Sequence, residues 1–467
     1  MAVPWRTRHT GPALPSPTST SMPATRRGTP ASKRNGIPRS KIATWGCDVR
    51  TRITSCSISS PKAPSGKLCL TSPMQRATVE KIRADIPALA QYVWFQNGGV
   101  SVIPRAIAAE HARLMEELVV RGPMHIVYPD EEYPRRERSK AALARFFGVA
   151  PETLALMRGV SEAYQTVLRG LDWRRGDQLL ITDEEEAALY LPSLHLRDRH
   201  GVEVVKVPLL ADPEEQLEAF AARITDRTRL LAVSHVTTET GFRLPVEQLC
   251  GLARECGVLT FVDAAHSAGL FPIDLAAMGC DFAGLLSYKW MYAPYAAGAL
   301  YVQPERLETL QVTYAGGRAE AWLRYDTDDY ALKEGAERFE YGPWSWPLVH
   351  TWAFAAGYLT EIGLESIWAR TAQLTDRLKQ ALAVIPGVTL YTPLEAERAA
   401  ALTAFSVAGW DGEELTRALR ERRPKPIIVR PLTIAHNGVR ASVPFFLLEE
   451  EIDLLADTVR SLAESRR

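Results

Sequence analysis

Two stretches decide the fold: Phe261-Val262-Asp263-Ala264-Ala265-His266-Ser267-Ala268-Gly269, and Phe282-Ala283-Gly284-Leu285-Leu286-Ser287-Tyr288-Lys289-Trp290. In each, a short apolar run ends abruptly in polar residues. A strand buried on both faces of a parallel sheet has this pattern. Ligands of such sheets sit beyond the carboxyl ends of the strands. Asp263 and Lys289 are therefore expected at one crevice.

Similar runs lie outward in both directions: Leu154 to Met157, Gln178 to Ile181, Val202 to Val207, Leu230 to Val236, Val258 to Val262, and Gly298 to Val302. Gly, Asp or Pro bounds them, and helical stretches separate them. Residues 104–119 show one apolar helix face with Ile107, Leu114, Met115 and Leu118. Strands alternating with helices predict a large, mostly parallel α/β sheet domain. Residues 385–445 read as a smaller α+β unit, closed by an amphipathic helix with Ile452, Leu455, Val459 and Leu462. The expected division is an N-terminal extension over 1–73, an arm over 74–110, a large domain over 111–335, and a C-terminal small domain with a dimer-contact segment over 336–467.

Composition agrees with a globular chain of two or three domains. The 467 residues carry 55 basic and 55 acidic side chains and are 46% hydrophobic. Zero net charge gives no reason to expect nucleic acid or an anionic membrane as partner. No run of about 18 apolar residues occurs, so no spanning helix is expected. Six scattered cysteines do not make a disulfide framework, and a cytoplasmic, reducing compartment is the default. Residues 1–73 hold twelve basic residues and one acid, Asp48, and are rich in Pro, Ser and Thr. They read as disordered or as an over-extended start before Met74. A transit peptide, which would place the protein in an organelle, is the alternative.

A lysine and a carboxylate converging on one crevice suit pyridoxal 5'-phosphate. That cofactor needs a lysine for a Schiff base and an acid to keep its ring nitrogen protonated. Alone, Lys289 would be a surface lysine and Asp263 a helix cap; together with His266 they point to chemistry at an amino-acid α-carbon. Lys289 is then expected to act as base.

With these residues in place, the chain resembles the class V aminotransferase family of fold-type I pyridoxal-phosphate enzymes. The resemblance rests on Ser234-His235-Val236, Thr240-Gly241, Leu244-Pro245-Val246, Val262 through Gly269, Asp274-Leu275, Asp281-Phe282 and Lys289-Trp290-Met291-Tyr292-Ala293-Pro294. It spans roughly residues 90–465 and is nearest the branch of isopenicillin N epimerase-like and C–S lyase-like proteins. Ser287-Tyr288-Lys289 is similar to kynureninases.

The resemblance implies further roles. Catalysis falls to Lys289, Asp263 and His266, with His266 beside the cofactor's phenolic oxygen. Val160 and Ser161, in Gly159-Val160-Ser161-Glu162, would open a helix whose free N–H groups bind phosphate. Tyr288 is implied as a second phosphate donor and Thr237 as a polar cofactor contact. Arg440 matches the arginine that grips the substrate carboxylate, a task suited to a guanidinium. Asn97 resembles the N-terminal loop residue that reaches the substrate. Arg338-Phe339-Glu340-Tyr341-Gly342 resembles a stretch near the interface of a homodimer. No metal is implied.

Several positions depart from the family pattern. No cysteine follows Cys280. Because a thiolate must attack the substrate sulfur in a cysteine desulfurase, that activity is expected to be absent. Glu186 stands where the family places an aromatic over the cofactor, Pro343 stands where it has a threonine, and Tyr295-Ala296-Ala297-Gly298 replaces the usual Lys-Gly. Glu184-Glu185-Glu186 reads as a solvated helix start, and Cys250 and Cys256 as packing residues rather than metal ligands. The expected function is a pyridoxal-phosphate enzyme acting at the α-carbon of a small amino-acid substrate by transamination, epimerisation or β-elimination. A non-catalytic cofactor-binding protein, a kynureninase-like hydrolase and a cofactor-free Schiff-base aldolase remain as alternatives.

Overall fold

The structure, a computed structural model, describes residues 74–466. The readings placed on residues 1–73 lie outside the described residues.

Seven strands form the large sheet: β1 Leu154–Met157, β2 Gln178–Thr182, β3 Glu203–Val207, β4 Thr228–Ser234, β5 Leu259–Asp263, β6 Phe282–Leu286 and β7 Gly298–Val302. Their order is β1-β7-β6-β5-β4-β2-β3, and every pairing is parallel except those of β7. Alternate residues of one strand feed two different cores. Leu180, Leu231, Val262 and Leu285 point to one face, while Leu179, Leu230, Phe261 and Phe282 point to the other. This two-sided burial is why the strands are apolar without a break.

Helices cover both faces. Val160–Gly170 and Ala187–His200, here α2 and α3, bury Tyr164, Val167, Leu189 and Leu196 on one side. On the other side, α4 (Val246–Glu255) and α5 (Trp346–Ile362) bury Leu249, Ala253, Trp352 and Leu359. Helix α1 (Arg105–Arg121) precedes these and buries only Ile107 and Leu114. Met115, expected on its inner face, is 45% exposed, and Val119 and Val120 beyond it are 77% and 72% exposed.

The C-terminal sheet is antiparallel, with strands β8 Val388–Leu390, β9 Leu402–Val407, β10 Arg430–Pro431 and β11 Val439–Ser442 in the order β8-β9-β11-β10. Helix α6 (Leu364–Ala383) and the last helix, α7 (Glu449–Ser465), pack against each other beside it. In α7, Ile452, Leu455 and Val459 are buried as the periodicity requires. The N-terminal arm joins this part of the molecule. Val93–Trp94 pairs in parallel with Ile427–Ile428, and the Ser442 N–H donates to the Phe95 carbonyl at 2.7 Å. The arm's next residues, 96–99, are thereby carried to the end of the strand that bears Arg440. No helix among the described residues is long and apolar enough to cross a membrane.

Candidate active site

Asp263 is the last residue of β5, with Ser234 of β4 and Gly284 of β6 as its register partners. Its carboxylate accepts the Ala265 N–H at 2.7 Å. Burial pushes the carboxyl up to about 6, against the opposing pull of Lys289.

Lys289 arrives three residues past β6 on a tight turn. The Ser287 hydroxyl donates to the Pro294 carbonyl, and the Ala293 N–H donates back to the Ser287 carbonyl. The turn is tied to the N-terminal arm. Ser101 donates to the Tyr288 carbonyl through both its N–H and its hydroxyl, and the Asn97 amide donates to the Lys289 carbonyl at 3.4 Å. The lysine is 8% exposed, and burial brings its amine down to about 8 although Asp263 opposes the change.

His266 Nε2 lies 3.2 Å from Lys289 Nζ, and Trp290 Nε1 lies 3.4 Å from His266 Nδ1. An indole only donates, so Nδ1 accepts and Nε2 carries the proton in the neutral ring. Burial, reinforced by the charge of Lys289, holds the imidazole well below its ordinary range. His266 is thus a neutral ring whose Nε2 faces the lysine nitrogen.

These groups line a cavity of about 560 Å³ together with Val160, Ser161 and Tyr288. Gly159 begins α2 at φ +152°, so the first turn of the helix meets the cavity without a side chain at its cap. N–H groups of a first helical turn have no partner within the helix and attract anions. Two buried polar atoms close by are orphaned: Asn97 Oδ1 and Arg440 Nε. A phosphate at α2, a ring nitrogen on Asp263 and an aldehyde within reach of Lys289 match pyridoxal phosphate group by group, so the residues fit this cofactor.

Arg440 is 1% exposed and has no carboxylate partner among the described residues. It donates to the Thr238 carbonyl, to the Thr238 hydroxyl at 3.3 Å and to Gln96 Oε1 at 3.3 Å. Burial, then the charge of Arg430, brings its guanidinium down to about 9. A buried cation in this state favours an arriving anion. Arg440 stands behind Gly98, where a Cβ would come within 3.1 Å of Arg440 Nη2. Asn97 and Arg440 thus flank the cavity without lining it. Thr237 is not brought to the cavity. Its hydroxyl accepts the Phe242 N–H at 3.0 Å and sits 3.1 Å from the Thr240 hydroxyl. Pro343 and Ser345 are exposed.

The acidic run is not a solvated helix start. Glu184 is buried and accepts the N–H groups of Glu239 and Thr240 and the Thr240 hydroxyl at 2.6–2.7 Å. Glu185 is buried and accepts the hydroxyls of Thr182 and Ser234 at 2.7 and 2.6 Å, and burial pushes it up to about 7. Glu186 alone meets the cavity. Apart from Thr182, three residues before Glu185, these donors lie about fifty residues downstream, on β4 and the loop after it, and no local pattern announces them.

Sequence reasoning also missed Arg430. This residue lines the cavity and is the register partner of Arg440 across β10 and β11. Ten residues of separation carry no such signal until the antiparallel pairing is known.

Such a sheet, with a lysine, an aspartate and a helix N-terminus around one cavity, defines a fold-type I pyridoxal-phosphate enzyme. The family profile described as Aminotransferase class-V matches residues 111–455, and the chain belongs to that family. It is 32% identical over 349 residues to an isopenicillin N epimerase of Streptomyces clavuligerus, covering 70% of this chain and 84% of that protein. It is 28% identical to a cysteine desulfurase of Pectobacterium atrosepticum, covering 81% of this chain and 96% of that one. A solved structure of the cystine C–S lyase C-DES with its reaction product cysteine persulfide superposes with a TM-score of 0.74 at 25% identity, over 80% of this chain and 99% of that one.

These relatives correct the expectation that cysteine desulfurase activity is absent. Proteins named for that activity align over nearly their whole length. Lack of a cysteine after Cys280 removes one possible sulfur acceptor within the chain. It does not remove the lysine and aspartate that act on the substrate, and a thiol from outside the chain can also attack sulfur.

Proposed function

We propose that the protein uses pyridoxal phosphate to remove sulfur from a cysteine-type amino acid. The carrying observation is the convergence of Lys289, His266 and Asp263 on one cavity, with Lys289 Nζ 3.2 Å from His266 Nε2. Relatives named as cysteine desulfurases and as a cystine C–S lyase support the substrate class.

Bound pyridoxal phosphate supplies an electron sink conjugated to the substrate α-carbon. Lys289 would hold the cofactor's aldehyde carbon. Asp263 would keep the ring nitrogen protonated, the N–H groups of Val160, Ser161 and Glu162 with Tyr288 would hold the phosphate, and His266 would donate toward the phenolic oxygen. Arg440 takes the substrate carboxylate, with Arg430 beside it and Asn97 steadying the lysine turn. An amine near 8 is partly neutral at physiological pH, so Lys289 can accept the α-proton once free. An external thiolate then attacks the substrate sulfur. An S–S bond forms, the C–S bond breaks, its electron pair stays with the carbon skeleton, and protonation yields alanine.

The protein is further proposed to be a cytoplasmic homodimer. The exposed apolar residues Met115, Val119, Val120 and Ile126, on α1 and just after it, support an interface between copies. Buried Cys250 and Cys280, with thiols pushed far up by burial, suit a reducing compartment.

The test is incubation of the purified, cofactor-loaded protein with L-cysteine and dithiothreitol. Alanine and sulfide are expected in equal amounts, and Lys289→Ala should lose both. Wild-type turnover in Lys289→Ala would refute the reading.

A further inference from the structure

Glu239, on the loop after β4, is a buried carboxylate with no part in the roles given above. Its Oε1 accepts the N–H groups of Thr433 and Ile434 at 2.8 and 3.0 Å, and its Oε2 accepts that of Ala435 at 2.7 Å. Three consecutive N–H groups of the turn between β10 and β11 thus converge on one anion, which makes each bond charge-assisted. The Glu239 N–H donates to Glu184 at 2.7 Å, so the anchor is itself tied to the end of β2. Little else fixes this turn. The side chains of Thr433, Ile434 and Ala435 are exposed. Strand β10 is two residues at the edge of its sheet, and Pro431 has no N–H to give. The other ties of the turn stay in the C-terminal part of the chain. Leu432 donates to the Gly438 carbonyl at 2.9 Å, the His436 ring stacks on Tyr391 at 4.0 Å, and Asn437 Oδ1 accepts the Gly412 N–H at 2.8 Å. Among the described residues, Glu239 alone joins the turn by hydrogen bonds to the loops of the large sheet. The turn connects Arg430 to Arg440, which face each other in register. Arg440 lies on β11, between two strands, whereas Arg430 lines the cavity from the edge strand and depends on the turn for its place.

We propose that Glu239 is a positioning residue: by holding the 433–435 backbone it sets Arg430 beside Arg440, and the two guanidinium groups together hold the carboxylate of the substrate. The proposal rests on the reading that Arg440 takes that carboxylate. Glu239 itself touches neither substrate nor cofactor and acts only through the turn. Its loss therefore weakens the grip on the amino acid, in the ground state and afterwards alike, without altering the proton transfers at Lys289.

The experiment compares wild type, Glu239→Gln, Glu239→Ala, Arg430→Ala and the Glu239→Ala, Arg430→Ala double variant. Each is loaded with pyridoxal phosphate and titrated with L-alanine, the proposed product, while the absorption band of the bound cofactor is followed. Glu239→Ala should weaken L-alanine binding about tenfold, the scale of one hydrogen bond to a charged group. KM for L-cysteine should rise in step with kcat little changed, the mark of lost uniform binding. Glu239→Gln keeps an oxygen for Thr433 and Ile434 and should fall between. The double variant should bind no worse than Arg430→Ala, because the two residues act as one unit. A readout that needs no cofactor is amide hydrogen exchange of the apoprotein, which should quicken in residues 432–438 of Glu239→Ala and not across the sheets. Wild-type affinity in Glu239→Ala, additive losses in the double variant, or a turn that exchanges no faster each overturn the role. So does faster exchange throughout with unchanged affinity in the loaded fraction, which would mark a merely structural residue. A wild type that binds L-alanine but releases no sulfide from L-cysteine overturns the desulfuration reading and leaves the role of Glu239 standing. A loaded wild type whose band L-alanine does not move overturns both.

Discussion

Lys289 and Asp263 are each held away from their ordinary titration by burial, in opposite directions. The amine is brought from 10.5 to about 8 because the cavity penalises an ammonium more than Asp263 rewards it. Only the neutral amine can add to an aldehyde. Uptake of pyridoxal phosphate by the apoprotein should therefore quicken as pH rises and level off above about 8, well below the range of a solvated lysine. Stopped-flow absorption across pH 6–10 would reveal a late midpoint near 10 if burial were not in control. Asp263 is raised from 3.8 to about 6. A carboxyl raised by folding contributes stability below pH 3.8 and loses it as pH climbs through about 6. At pH 7 the cofactor-free protein therefore carries a buried carboxylate at a cost. Asp263→Asn should stabilise the apoprotein at pH 7 by on the order of 1–2 kcal/mol, with no gain at pH 4, while cofactor retention falls. Thermal unfolding at the two pH values checks this, and a loss of stability at pH 7 would contradict it.

At the level of elements, the site depends on loops locked by buried carboxylates and crowded glycines. Glu184 supplies the acceptors for the 239–240 backbone, the loop that also presents the Thr238 carbonyl to Arg440. Glu184→Ala would strand two buried N–H groups, at about 1–3 kcal/mol each. Denaturant melts should show a loss above 2 kcal/mol, and Glu184→Gln, which keeps one acceptor oxygen, should lose less. Gly269 closes the turn after His266 at φ +87°, and a Cβ there would sit 2.5 Å from the Trp290 carbonyl oxygen. Gly269→Ala should cost about 2–4 kcal/mol through backbone strain and overlap. It should also weaken cofactor retention, because the displaced residue adjoins Lys289. An alanine variant with wild-type melting and a wild-type absorption band would show that the turn relaxes freely.

Over the whole molecule, the site is assembled from segments far apart in the chain: the arm at 96–99, the start of α2, Glu186 after β2, the β5–β6 edge of the large sheet, and β10–β11 of the small one. If α1 forms the dimer face, Val120→Glu with Ile126→Glu should shift sedimentation from dimer to monomer, since two charges would be buried without partners. An unchanged dimer would place the interface elsewhere. The strands, the Asp263–His266 and Lys289 edge, and the amphipathic last helix were legible in the chain because each is written in local periodicity or in the end of an apolar run. Met115 was misplaced because periodicity marks an apolar face without saying whether the same chain covers it. Glu184 and Glu185 read as solvated because a carboxylate's burial depends on donors that only the folded chain supplies. Arg430 went unseen because its pairing with Arg440 exists only across an antiparallel ladder. By itself, then, the sequence determined the class of sheet, the cofactor and which polar residues stand at the strand ends, for unbroken apolar runs and their ends are local properties. The tertiary structure alone decided which carboxylates are buried and which cations stand without a carboxylate partner, since burial and charge pairing arise from contacts between segments that no local pattern joins.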